Sequence, residues 1–206
     1  FTGGCILKLK ALVQRKQEVL IVGGGLAGLV ASLLLVKEGH AVTLVEKKVY
    51  PFHRVCGEYV SNEVLDFLKR NNLYPDFLEL PHIDTFEFSD TQGKSVFLPL
   101  DLGGFGISRY QLDLWLYQLA SEQGVKFLTG TTVIDLEFLE KEDVFEVKLS
   151  DFQVLQVPVV LGAFGKRSKL DQVLERPFFT KRSPYIGVKY HVLAEGSPNT
   201  VALHNF

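Results

Sequence analysis

Two short apolar runs frame the first quarter of the chain. Val19-Leu-Ile-Val22 and Val42-Thr-Leu-Val45 are continuous rather than alternating, as expected of parallel strands buried on both faces. A parallel pair needs a crossover, and the uncharged stretch from Leu26 to Val36 supplies it as a helix that Gly39 caps. The absence of charge between Val19 and Val36 also fits a membrane span. Gly23, Gly24 and Gly25 in its first third, and its strand-like start, favour a buried strand–turn–helix unit instead.

Downstream the period changes several times. Ser61 is placed to cap a helix through Lys69 that carries Val64, Leu65 and Leu68 on one face and ends at Asn71 and Asn72. Ile83 to Ser89 and Ser95 to Leu98 read as extended segments around Asp90-Thr-Gln-Gly-Lys94, a hairpin. Gly103, Gly104 and Gly106 mark a close backbone passage. Ser108-Arg-Tyr-Gln111 has the spacing of a capping box, and the helix behind it places Leu112, Trp115, Leu116 and Leu119 on one face before Gly124 stops it. Val125 to Leu128 reads as a strand returning to the sheet. From Thr131 to Pro158 the alternation of Val133, Leu136, Phe138, then Phe145, Val147, Leu149, then Phe152, Val154 predicts an antiparallel three-stranded meander. Val157 to Leu161 is expected to be a last buried strand, and Tyr185–Val192 and Thr200–Leu203 to begin new ones. The whole predicts an α/β fold with a parallel sheet and an antiparallel meander.

Composition narrows the class without changing that picture. The chain has 206 residues, 47% of them apolar, with 16 phenylalanines, enough for a large core. Its net charge of −2 gives no electrostatic footprint for nucleic acid. Cys5 and Cys56 are too few for a disulfide framework, so the expected setting is reducing and cytoplasmic. Methionine is absent even at position 1, which suggests part of a longer sequence, and residues 1–17 read as a leader or extension. The histidines at 40, 53, 82, 191 and 204 are scattered, and no metal cluster has credible spacing.

The chemistry gathers at the first turn. Gly23, Gly25 and Gly28 satisfy G-x-G-x-x-G: a sharp turn, backbone approach to a pyrophosphate, and close helix–strand packing. The helix N-terminus behind them offers unpaired N–H groups to phosphate, and Glu46, at the end of the second strand, is placed to accept from ribose hydroxyls. This cradle suits NAD and FAD equally. Arg109 lies in the first turn of its helix, where the dipole opposes a cation. That place suggests an anionic partner, with a plain surface arginine as the alternative. The loop Tyr50-Pro-Phe-His-Arg-Val-Cys-Gly-Glu58 is dense in reactive side chains; for Cys56 a small packing residue and a weak catalytic candidate are both open, and His53 and Arg54 read as solvated.

Beyond these residues the chain resembles a family. The run Gly23 to Glu46, with Ser32, Leu35, Gly39 and Val42, resembles an FAD-binding fingerprint. Cys56-Gly-Glu58 is similar to the Cys-Gly-acidic loop of geranylgeranyl reductases, and Ile107-Ser-Arg-Tyr-Gln-Leu-Asp113 and Leu161-Gly-Ala-Phe-Gly-Lys-Arg-Ser168 resemble later motifs of the flavoprotein group that also includes flavin-dependent halogenases and aromatic-ring hydroxylases.

The resemblance implies a Rossmann-like FAD-binding domain and a β-rich substrate domain only begun: 1–17 extension, 18–80 the βαβ unit and Cys-Gly-Glu loop, 81–105 a substrate-domain hairpin, 106–170 the FAD domain continued, 171–206 the truncated substrate domain. It implies FAD held by Gly23, Gly24, Gly25, Ala27, Gly28, Glu46, Lys47, Arg109, the backbone near Val133, and Gly165. It further implies NAD(P)H as reductant and a reductase-type transfer of hydride to an apolar substrate, whose lipid-like character implies contact at a membrane surface without a transmembrane segment. A monooxygenase or halogenase is the alternative, and a non-catalytic nucleotide-binding module or an NAD-dependent dehydrogenase are alternatives of other classes. Phe164 stands where hydroxylases carry an acidic residue.

Overall fold

A computed structural model describes residues 16–166, 168–177, 185–193 and 195–205. In chain order it contains β1 (Glu18–Val22), α1 (Leu26–Lys37), β2 (Ala41–Glu46), β3 (Tyr59–Ser61), a 3-10 turn (Asn62–Val64), α2 (Leu65–Arg70), β4 (His82–Ser89) and β5 (Ser95–Gly106). There follow α3 (Arg109–Glu122), β6 (Lys126–Thr129), β7 (Val133–Leu139), β8 (Val144–Leu149), β9 (Val154–Val157), β10 (Val159–Gly162), α4 (Leu170–Val173) and β11 (Thr200–His204). The chain divides into two compact units, residues 1–50 with 116–183, and residues 51–115 with 184–206. The α/β class, the parallel sheet and the three-stranded meander are as the sequence predicts.

In the first unit the sheet order is β10-β1-β2-β6, parallel throughout. Its two central strands are the two apolar runs, and Leu20, Ile21 and Leu44 are fully buried because a central parallel strand is covered on both faces. Helix α1 buries Gly28, Leu29, Ser32 and Leu33. The Ser32 hydroxyl donates back to the Leu29 carbonyl at 2.7 Å, which lets a polar residue sit at full burial. Strands β7, β8 and β9 form the antiparallel meander, and its Val133, Val147, Leu149 and Val157 share one core with Leu20, Val22 and Val45 of the sheet.

Two expectations change here. Val157 to Leu161 is not one buried strand: Pro158, which has no N–H to donate, separates β9 of the meander from β10 of the parallel sheet. As an edge strand β10 leaves Val159 and Leu161 partly exposed. Phe152, read as a strand residue, sits at φ +70° in the turn before β9 and is almost wholly exposed.

The second unit holds a sheet of order β11-β4-β5-β3, with β11 parallel to β4 and the other pairs antiparallel. Asp90 closes the hairpin turn by accepting from the N–H groups of Gln92 and Lys94, both at 2.9 Å. Strand β5 does not stop at Leu98 but runs to Gly106. The glycines expected to mark a close passage do so inside a strand: a Cβ on Gly104 would lie 2.4 Å from the Tyr59 ring and 2.5 Å from the Val60 carbonyl of neighbouring β3. The helix after Ser61 is a 3-10 turn followed by the short α2, and Ser61 caps it, its hydroxyl accepting from Glu63 N at 3.3 Å. Residues 185–193 form no strand, and their large apolar side chains are exposed, so the expected strand over Tyr185–Val192 is absent whereas β11 is present. Residues 1–15, including Cys5, lie outside the described part.

Candidate functional site

The turn between β1 and α1 is shaped by contacts that admit no side chain. Gly23 has φ +108°, and a Cβ on it would meet the Ala163 carbonyl oxygen at 2.5 Å. One on Gly28 would sit 2.0 Å from the Gly23 carbonyl oxygen, the close helix–strand packing expected of the third motif glycine. Gly24 is equally confined: its Cβ would fall 2.0 Å from the Tyr50 hydroxyl and 2.9 Å from the Glu46 Cβ. Gly25 occupies the N-cap of α1 with no side chain capping it, so the amides of the first turn keep their outward donors. The result is a bare, backbone-lined cradle at a positive helix end, which fits a pyrophosphate.

Glu46 and Tyr50 hold this turn in place. Glu46 is buried at the end of β2; one carboxylate oxygen accepts from Gly24 N at 2.8 Å and the other from Lys48 N at 3.0 Å. Its side chain is therefore a brace of the glycine turn. The Tyr50 hydroxyl donates to the Gly24 carbonyl at 2.5 Å, while its ring stacks on Tyr117 with centroids 4.4 Å apart. Of the other predicted residues, Ala27 and Lys47 are exposed, and Gly165 is exposed at φ +70° with open space around it. Val133 puts its side chain into the shared core. Phe164 packs against the same core, with the Arg176 guanidinium 5.5 Å from its ring centre.

In the second unit the start of α3 organises a polar cluster. Ser108 and Gln111 meet as the capping-box spacing predicts, though only the N-cap half is formed: the Ser108 hydroxyl accepts from Gln111 N at 3.2 Å, and it, rather than the Ser108 amide, donates to Gln111 Oε1 at 3.1 Å. Glu58, at φ +60°, adds a second cap, its carboxylate accepting from Arg109 N at 2.9 Å and its carbonyl from Ile107 N at 2.9 Å. The same carboxylate pairs with Lys189 Nζ and lies 3.1 Å from His191 Nε2. Burial pushes its pKa up, but Lys189, the Arg109 amide and His191 outweigh that and hold it below the ordinary carboxylate value. His53, read as a solvated loop residue, is stacked on Tyr110 with centroids 4.6 Å apart and meets His191 edge-on at 5.5 Å.

The anionic partner that Arg109 calls for is present in the chain itself. Asp113, one turn on and 2% exposed, receives Arg109 Nε and Nη2, each at 2.8 Å, and Arg54 Nε at 3.0 Å. Arg109 is thus not a plain surface arginine, and Arg54 is not merely solvated. Burial lowers the Arg109 pKa, yet the hydrogen bonds and charge of Asp113, with a smaller contribution from Cys56, raise it above its ordinary value. Cys56 is a half-buried free thiol whose sulfur accepts from Glu58 N at 3.4 Å. A cavity of about 470 Å³ opens in this unit beside Gly57 and Glu58, walled by Leu78, Leu80, Pro81, Ile83 and Ile107.

Sequence reasoning missed Tyr50, Asp113, Lys189 and His191. Only Asp113 carried a local signal, an acid four residues after an arginine on a helix. Among the described residues no helix is long and apolar enough to cross a membrane.

A family model described as an FAD binding domain matches residues 16–137. A flavin-dependent halogenase of Armillaria mellea is 28% identical over 153 residues, covering 67% of this chain and 28% of that protein. An FAD-dependent monooxygenase of Sarocladium schorii is 30% identical over 174 residues, 78% of this chain and 39% of its own length. A menaquinone reductase of Mycolicibacterium smegmatis is 24% identical over 177 residues, 78% of this chain and 40% of that protein. The crystal structure of the flavin-dependent halogenase CmlS superposes with a TM-score of 0.68 at 23% identity, over 78% of this chain and 31% of that one, and so shares the fold. The chain spans at most about two fifths of the length of these curated relatives.

Proposed function

Because the chain belongs to the FAD binding domain family, we propose that it forms the cofactor-holding part of an FAD-dependent enzyme that uses molecular oxygen, a monooxygenase or halogenase. The observation that carries the oxygen-using reading is the likeness at 28–30% identity to a halogenase and a monooxygenase, which moves the balance away from the reductase-type transfer the sequence favours.

The residues suit this work. Gly23, Gly24, Gly25, Ala27 and Gly28 would present backbone to the diphosphate, with the amides at the N-terminus of α1 completing the cradle. Glu46, its orientation fixed by the Gly24 and Lys48 amides, would meet the adenosine ribose together with Lys47. The backbone near Val133 would lie by the adenine, Gly165 by the flavin end, and Arg109 on the diphosphate. When bound and reduced, FAD supplies the electrons for oxygen activation, with NAD(P)H the proposed source. The cavity beside Glu58 would take a small molecule with an apolar part against Leu78, Leu80, Ile83 and Ile107 and polar groups toward Glu79, Ser108 and Gln111; Cys56 precedes Gly57 in the same loop.

One second reading has its own support. The Cys56-Gly57-Glu58 loop and the likeness to a menaquinone reductase favour hydride delivery to a quinone-like or isoprenoid acceptor. Turnover of NADH or NADPH with candidate apolar acceptors and a halide salt, in air and under argon, separates the two. Products carrying an oxygen atom or halogen only in air support the proposal; equal turnover under argon rejects it in favour of the reductase.

A further inference from the structure

We propose that Asp113 is a positioning residue that fixes the Arg109 guanidinium for an anionic group of the bound cofactor. The inference rests on the reading that Arg109 meets the FAD diphosphate.

Asp113 holds Arg109 through two parallel hydrogen bonds of 2.8 Å from Nε and Nη2, so one whole edge of the planar guanidinium is spent on one carboxylate. The edge formed by Nη1 and the second hydrogen of Nη2 is thereby set in a defined direction, a second fork that matches an oxyanion. Among the described residues the hydrogen bonds of this guanidinium all go to Asp113, and the thiol of Cys56, which acts on its charge only weakly, is a poor competitor for the remaining edge.

Helix stability does not account for the pair. Arginine preceding aspartate by one turn runs against the helix dipole, the less favourable of the two orders, and it puts the cation at the positive end of α3. Nor does core stability: a buried ion pair gains little over an apolar filling of the same volume. What the arrangement does achieve is orientation. Asp113 is 2% exposed, and Arg54 from the preceding loop donates to Oδ2, the oxygen that Arg109 Nη2 also meets, so the carboxylate is itself held in place. An otherwise flexible side chain is held before the ligand arrives, which removes an ordering cost from binding.

The test titrates FAD into the full chain and its variants, following quenching of flavin fluorescence, with near-UV circular dichroism reporting the fold of each apo protein. Asp113→Asn and Arg109→Gln are each expected to weaken FAD by about tenfold, and the double variant no more than the weaker single one. Asp113→Glu, which keeps the charge but moves it by one methylene, is expected to fall between wild type and Asp113→Asn, and stands in for it should that variant fail to fold. Losses that multiply in the double variant overturn the proposal, because Asp113 would then act independently of Arg109. Weakening by Arg109→Gln with wild-type affinity in the Asp113 variants also overturns it, and leaves the Arg109 reading standing. Unchanged affinity in Arg109→Gln removes that reading and the proposal with it.

Discussion

Replacing Gly28 by alanine sets two physical effects against each other with opposite signs. Gly28 lies inside α1, where alanine is the better helix former by about 1 kcal/mol, so propensity alone predicts a more stable protein. The packing predicts the reverse. The new methyl would sit 2.0 Å from the Gly23 carbonyl oxygen, with Ile21 Cγ2 a further contact at 3.3 Å. The oxygen belongs to backbone that cannot swing aside, and α1 must move off β1 by roughly an ångström to restore van der Waals contact. Overpacking of this kind costs about 1–3 kcal/mol, and a backbone contact this short belongs at the upper end. The net expectation is a loss of about 2 kcal/mol, or roughly 4–8 °C in Tm for a chain of this length. Thermal unfolding followed by circular dichroism measures it, with Gly57→Ala as the comparison because nothing lies within 4 Å of an added Cβ there. A Tm for Gly28→Ala equal to or above wild type would refute the close-packing account of the third motif glycine.

Tyr50→Phe keeps the stacking on Tyr117 but deletes the 2.5 Å hydrogen bond to the Gly24 carbonyl, and should cost about 1 kcal/mol in urea unfolding; an unchanged midpoint would show that the hydroxyl does not brace the turn. Glu58 gives a pH signature. Its carboxyl pKa is lowered in the folded chain, so its contribution to stability is present above the ordinary carboxylate pKa and is lost as pH falls through the folded value. The stability gap between wild type and Glu58→Gln should therefore be widest near neutrality and close toward acid, and a gap that stays constant from pH 7 to pH 3 contradicts the capping and pairing described.

The glycine turn and the strands around it were legible because their constraints are local. A continuous apolar run, three glycines at fixed spacing and an acid at the end of the next run describe one βαβ unit, and the Gly23 and Gly28 contacts are those the spacing implies. The N-cap at Ser108 was legible for the same reason. What escaped depends on residues far apart in sequence. Glu46 reads as a ribose ligand, and the further part of its carboxylate in bracing Gly24 has no sequence signal; nor could Tyr50, which closes the other side, be paired with Gly24 from spacing alone. Lys189 and His191 reach Glu58 from more than a hundred positions away. The strand boundary at Pro158 was the one error with a readable cause, since a proline between two apolar residues already argues against a single continuous strand.

The way the two units share the chain has a consequence for how the protein comes to exist. Central strand β1 waits for β10, since Val19 pairs with Val159, and β4 waits for β11, since Thr85 pairs with Thr200. Each unit is sewn from two separated segments, and the segments of the two units alternate along the chain. Such long loops must be closed before their contacts reward it, so folding is expected to be slow and to finish late. On the ribosome the residues of β1 and β2 emerge early with an open sheet edge, and the second unit cannot complete its sheet until Thr200–His204 has been made. A cut anywhere between Pro51 and Ser183 therefore divides both units at once, and neither can be recovered as a contiguous fragment.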